Sequence, residues 1–254
     1  MIDYWQVTET PGDKVTREAL DMLRTRYGFA EPFVKGKDAL EVACGAGQGL
    51  RYLKSAARWV VGGDYTASLL RTARASTEGQ VPLVRLDGQA LPFADRSFDV
   101  VLLYEAIYYL ARPDLFVREA RRLLRPDGVL IICSANPERP DFNPSPHSVK
   151  YLKASDLTRL LASHGFRVSV LGAFPVPRGG SGALIGGLKH IAGKLHLIPT
   201  SMKGKERLKR MFLGPLQPFP AEVDRSVGVV HEPTPLAAGV AAGYKVLYAV
   251  GVAV

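Results

Sequence analysis

The run Ala39-Leu40-Glu41-Val42-Ala43-Cys44-Gly45-Ala46-Gly47-Gln48-Gly49 constrains this chain more than any other segment. It reads as a short apolar strand entering a turn with glycine at every second position, and an acid, Glu41, stands inside the strand. Glycine lets backbone approach a ligand where a Cβ would collide, and the N–H groups opening the next helix can face polar ligand atoms. The spacing is Gly-x-Gly-x-Gly, and Leu50 stands where a dinucleotide fingerprint places its third glycine. The loop gains weight from two further acids, Asp64 and Asp87, at the ends of the next two apolar runs.

Those runs alternate with helix-like segments, the pattern of a doubly wound α/β sheet. Strands are expected over 39–43, 59–63, 82–86, 98–104, 129–134, 168–174 and 244–252, seven in all. Helices are expected over 49–55, 67–75, 114–124 and 156–164, the last with Ser155 as its N-cap. Pro126-Asp127-Gly128 reads as a turn that stops one helix and launches a strand. The chain divides into a helical N-terminal segment (1–37), a ligand-binding core (38–174), an insertion (175–243) and a closing strand (244–254).

The insertion breaks the rhythm, with many prolines and glycines and no clear strand. Leu184, Ile185, Leu188, Ile191, Ala192, Leu195 and Ile198 recur there at helical spacing, as in an amphipathic helix that packs on the core or serves as a lid. Seven basic residues between Lys189 and Arg210 face a single acid, Glu206, and account for much of the net charge of +9. Such a lobe is either a solvated face or a peripheral contact with a membrane surface. The apolar end from Pro235 onward is interrupted by Lys245 and glycines, which fits a strand and not a membrane span. Cys44 and Cys133 both fall in core segments, as reduced thiols do, and the first residues lack a basic, then apolar, secretory leader. The expectation is a cytoplasmic protein.

In an open parallel sheet, ligands sit outside the carboxyl ends of the strands. The second strand ends in Asp64, whose two oxygens can accept from both hydroxyls of a ribose. The third ends in Asp87-Gly88-Gln89, where an acceptor suits the exocyclic amine of adenine, and the fourth in Tyr104-Glu105. With Asp87-Gly88-Gln89-Ala90-Leu91-Pro92-Phe93, Phe98-Asp99-Val100-Val101 and Leu124-Arg125-Pro126-Asp127-Gly128, this set resembles the class I S-adenosylmethionine-dependent methyltransferases, in the broad group similar to ubiquinone and menaquinone biosynthesis methyltransferases. The resemblance spans roughly Asp38 to Ser134. It implies a Rossmann-like, mostly parallel sheet whose last strand runs antiparallel between its neighbours, and S-adenosylmethionine as cofactor. The implied cofactor contacts are Glu41, Ala43, Cys44, Gly45, Gly47 and Gly49 from the first strand and loop, and Asp64 and Tyr65 from the second. Asp87, Gly88 and Gln89 follow from the third, and Tyr104 and Glu105 from the fourth. No metal is implied.

Methyl transfer from a sulfonium needs alignment and exclusion of water, and a hydroxyl acceptor also needs a base or a strong hydrogen-bond acceptor. Glu105, Tyr109 and His147 are the candidates, with Tyr4 added if the N-terminal segment folds over the site. Glu105 serves equally as holder of the cofactor's amino group, and Tyr108 and Tyr109 equally as helix packing. Asn143-Pro144-Ser145-Pro146 followed by Tyr151 resembles members that tailor sugars and polysaccharides. The leading expectation is therefore methylation of a hydroxyl on a sugar or lipid-linked glycan. A natural-product O- or N-methyltransferase and a non-catalytic scaffold are the alternatives. Nucleic acid is disfavoured as substrate, since no Asn-Pro-Pro-Tyr follows the fourth strand.

Overall fold

A computed structural model describes residues 3–176, 215–236 and 241–254. Helix α1 (Arg17–Val34) follows a 3-10 turn (Tyr4–Val7) and a two-residue strand β1 (Lys14–Val15). The core then alternates β2 (Asp38–Val42), α2 (Leu50–Ala56), β3 (Trp59–Asp64), α3 (Ala67–Ser76), β4 (Leu83–Arg85), β5 (Phe98–Tyr104), α4 (Pro113–Leu123), β6 (Leu124–Ala135), α5 (Ala154–Ala162) and β7 (Phe166–Pro175). Two short strands, β8 (Gln217–Pro218) and β9 (Thr234–Pro235), precede β10 (Tyr244–Ala253).

The main sheet has eight strands in the order β4-β3-β2-β5-β6-β10-β7-β9. Strands β2 to β6 pair in parallel, and β10 runs antiparallel between β6 and β7, as the resemblance implied. The eighth strand is β9, two residues against the edge of β7, in a region where the sequence suggested no strand. The amphipathic pattern at 184–198 lies outside the described residues.

Both faces of the central strands are covered, which is why they read as unbroken apolar runs. On one face α1 buries Leu20, Leu23, Tyr27, Ala30 and Val34 against Leu102, Ile131 and Tyr248. On the other, Phe116, Val117 and Leu123 of α4 and Leu157 and Leu161 of α5 cover Leu103, Ile132 and Leu247. Thr16 starts α1 by accepting from the Ala19 N–H at 3.1 Å, and Pro113 opens α4 where a missing N–H costs nothing.

Two local expectations change. Helix α5 starts earlier, with Lys153 at the cap position and Asp156 reaching back to the Lys153 N–H at 3.3 Å. Pro126-Asp127-Gly128 lies inside β6, as a bulge: the pairing jumps from Phe98↔Leu124 to Val100↔Val129, with Asp127 at φ 59°.

The glycine loop is held by its protein neighbours. A Cβ on Gly47, whose φ is 82°, would lie 2.8 Å from the Ala73 Cβ of α3, and a Cβ on Gly49 would lie 1.8 Å from the Tyr27 ring of α1. These two glycines let helices close on the loop. Gly49→Ala is therefore expected to destabilise the fold by about 3 kcal/mol, the upper part of the range for overpacking a filled site. Urea unfolding measures it, and an unchanged midpoint would mean that α1 does not seat on the loop as described.

Candidate active site

The carboxyl ends of β2, β3, β5 and β6 open into one cavity of about 1160 Å³, beyond the roughly 300–1,000 Å³ of a pocket for a single small ligand. At one end stand Glu41, Ala43, Cys44, Gly45, Asp64, Tyr65, Asp87, Gly88 and Gln89; Tyr104, Glu105 and Tyr109 line it further along. Gly47, Gly49 and His147 do not line it. The first two pack against α3 and α1, and His147 is exposed on the loop after β6 at φ 66°.

Glu41 is 1% exposed. The Tyr27 hydroxyl donates to its Oε1 at 2.7 Å, while Oε2 is buried with no hydrogen-bond partner among the described residues. Burial pushes this carboxyl up to about 8, against the opposing pull of the Tyr27 hydrogen bond and the nearby Arg26 charge. Asp64 ties the loop to the tip of β3: Oδ2 accepts from the Gly45 N–H at 2.9 Å and Oδ1 from the Thr66 N–H at 2.8 Å. Burial raises its pKa as well, with those backbone donors opposing. A carboxylate has about four acceptor positions, so Asp64 retains some for a ligand. Asp87 is exposed at the rim, where its Oδ1 accepts from the backbone and side-chain amides of Gln89 at 2.9 and 3.2 Å.

Beyond the tip of β5, Glu105 sits at φ 51°, a left-handed conformation that costs a non-glycine residue and concentrates at functional sites. Its Oε1 faces Arg26 Nη2 at 3.5 Å and the Cys133 thiol at 3.7 Å. Its Oε2 accepts from the Tyr108 hydroxyl at 3.1 Å and the Ala135 N–H at 3.2 Å. A carboxylate so surrounded holds position. Burial works against the charge on Arg26, but Glu105 first, then Cys133, Tyr248 and Glu9, keep the guanidinium firmly protonated. Burial also pushes the Cys44 and Cys133 thiols up, so both are neutral.

A strap from the N-terminus lines the cavity. Tyr4 meets Tyr65 edge-on at 6.2 Å and Tyr109 at 5.2 Å, and Tyr109 shares a 2.6 Å hydrogen bond with Ser145. Strand β1 pairs with β8. Gln48 of the glycine loop holds both pieces: its Nε2 donates to the Glu9 carbonyl at 3.0 Å, and its own carbonyl accepts from the Val223 N–H at 2.8 Å. Arg26, Tyr27, Gln48 and Arg139 were not singled out from the sequence. A lone arginine in a helix or loop carries no mark of facing inward. No cluster of three or more metal-ligating side chains, and no helix long and apolar enough to cross a membrane, exists among the described residues.

Residues 40–132 match the family described as a methyltransferase domain. The chain is 36% identical over 146 residues to a probable S-adenosylmethionine-dependent methyltransferase of Mycolicibacterium smegmatis, covering 55% of this chain and 56% of that one. It is 34% identical over 131 residues to a fatty-acid O-methyltransferase of the same organism, covering 49% and 46%. The chain thus spans about half the length of these relatives. A crystal structure of an S-adenosylmethionine-dependent methyltransferase from Archaeoglobus fulgidus superposes with a TM-score of 0.58 at 16% identity, over 93% of this chain and 94% of that one. That likeness concerns the fold.

The raised carboxyl of Glu41 makes the fold sensitive to pH. Between about 4.5 and 8 the folded chain keeps a proton that the unfolded chain has released, so stability falls as pH rises through that window. Glu41→Gln removes this contribution. Its urea midpoint is expected to decline less between pH 5 and 8.5 than that of the wild type, and parallel declines would contradict a buried, protonated Glu41.

Proposed function

We propose that this chain, whose residues 40–132 match a methyltransferase domain and which is similar to S-adenosylmethionine-dependent methyltransferases, transfers a methyl group from that cofactor to an oxygen of an apolar small molecule. The observation that carries the reading is the unpartnered buried Oε2 of Glu41 on the wall of a cavity larger than one ligand requires. A buried carboxyl oxygen left without a partner calls for one, and the ammonium of the cofactor's amino-acid end would be one once Glu41 gives up the proton that burial makes it keep. Asp64 would hold the ribose hydroxyls, and Asp87 with Gln89 the adenine edge. Arg26, beside Glu105, adds a fixed cation suited to a carboxylate.

The bound cofactor supplies an electrophilic methyl group on a positively charged sulfur. The protein's part is to hold, orient and exclude water. The glycine loop and the Tyr4–Val15 strap, joined through Gln48, enclose the reacting groups. Glu105, fastened by Arg26, Tyr108 and Ala135, keeps the floor of the cavity rigid.

The apolar part of the lining includes Met22, Leu23, Val149, Phe219 and Val246. That wall suits a lipid or the lipid portion of a linked molecule better than a free sugar. The relative named for fatty-acid O-methylation points the same way. A hydroxyl on a lipid-linked glycan is compatible with this reading when the lipid is the part that binds.

Calorimetric titration tests the cofactor assignment. Asp64→Ala is expected to weaken S-adenosylmethionine binding by about 1.5–3 kcal/mol, the worth of a hydrogen bond to a charged group, while Asp64→Asn retains part of it. Unchanged affinity in Asp64→Ala, with an unchanged circular dichroism spectrum, would remove Asp64 from the site.

A further inference from the structure

We propose that the acceptor oxygen belongs to a carboxylate, that Arg139 holds it, and that the product is a methyl ester. This deepens the methyltransferase reading above and rests on it. The argument starts from proton balance. An alcohol that takes the methyl group must release a proton, so its site needs a base. A carboxylate needs none: an oxygen lone pair forms the O–CH3 bond and the electron pair of the C–S bond returns to sulfur. The carboxylate and sulfonium charges cancel, leaving a neutral ester and a neutral thioether.

Among the described residues the cavity is poor in bases on its acceptor side. No histidine lines it among the described residues. Glu105 is engaged at both oxygens by Arg26, Cys133, Tyr108 and Ala135. Asp13 Oδ2 accepts from the Thr10 N–H and hydroxyl at 2.7 and 2.9 Å. The phenols of Tyr4, Tyr108 and Tyr109 are held above their ordinary pKa chiefly by burial and remain donors. Among the described residues, Glu9, exposed on the strap, is the lining carboxylate left for an alcohol to use.

Donors are better represented. The sheet order puts β6 and β10 on the far side of β5 from the glycine loop, and Arg139 lies on the loop after β6, lining the cavity there. Its Nε is buried without a hydrogen-bond partner among the described residues, and it is ion-paired with Asp141 Oδ1 at 3.5 Å, which leaves the two Nη groups of the fork to face the cavity. Its guanidinium sits 6.0 Å over the Phe142 ring, which helps to fix its plane. A guanidinium stays charged and offers a fork that matches two carboxylate oxygens. The hydroxyl pair of Tyr109 and Ser145 also lines the cavity.

The test supplies the full chain with S-adenosylmethionine and either hexadecanoate or hexadecanol, in weak buffer with a pH indicator, with products identified by mass spectrometry. Methyl hexadecanoate is expected, formed without proton release from the acceptor. Arg139→Met is expected to raise KM for the acid about tenfold or more, as the loss of a charge-assisted bond implies, with kcat and cofactor affinity little changed; Arg139→Lys recovers part of the loss. An ether from hexadecanol, formed with one proton per turnover and lost in Glu9→Gln, would overturn the proposal. So would transfer to neither compound by protein that binds the cofactor in the calorimeter. Failure of cofactor binding itself would instead sink the methyltransferase reading.

Discussion

A carboxyl group buried between a strand and a helix organises this protein. Glu41 points from β2 toward α1, and the Tyr27 hydroxyl meets one of its oxygens at 2.7 Å. The same tyrosine ring lies where a Cβ on residue 49 would be, so the glycine loop, α1 and β2 are fitted to one another through one side chain. Asp64 fastens the loop from the other side through the Gly45 N–H. Two acids from adjacent strands thus hold a loop that has few side chains of its own. The arrangement destabilises the charged form of Glu41, and a buried acceptor left unpaired costs about 1–3 kcal/mol. A site that binds a cation can offset that cost when it fills.

Much of this was legible in the amino-acid order, for physical reasons that differ by element. Strand β5 is covered on both faces, so its apolar run begins and ends where the strand does, Phe98–Tyr104. Asp64 and Asp87 could be read because strand ends in a parallel sheet are where acids meet ligands. Gly47 and Gly49 were legible as necessary glycines but not in their purpose. Spacing shows that a Cβ is forbidden, whereas what forbids it, Ala73 and Tyr27 here, is set by how α3 and α1 dock. Strands β1, β8 and β9 have two residues each, too short for any periodicity to appear. His147 drew attention as a lone histidine among prolines, and its exposed, left-handed position on a loop explains why it stands clear of the cavity.

The enclosure of the cavity is assembled from pieces far apart in the chain. Gly12 donates to the Phe219 carbonyl at 2.9 Å and Phe219 donates to the Asp13 carbonyl at 2.7 Å, which joins the N-terminal strap to the segment before β9. Gln48 then pins the strap and Val223 to the glycine loop. Anything that moves the loop is therefore felt at Tyr4, through residues that no local pattern connects. An N-terminal segment that reads as little more than a helix and its approach is in the structure one wall of the reaction space.

The charges along that space are arranged in sequence. Asp64 and Asp87, with the buried acid Glu41 beside them, line the end formed by β2, β3 and the turn after β4, whereas Arg139, ion-paired with Asp141, lines the end formed by β6 and β10. Arg26 and Glu105 neutralise each other between them. On the proposed reading a cationic cofactor and an anionic acceptor enter opposite ends of a field that orients each of them. Their charges disappear together when the methyl group moves, and the expulsion of water on binding favours that loss of charge over the separated ions. The neutral ester then lacks the charge by which Arg139 held its precursor. The contact that selects the acceptor is thereby weakened by the reaction itself, which favours release of the product over return of the acid.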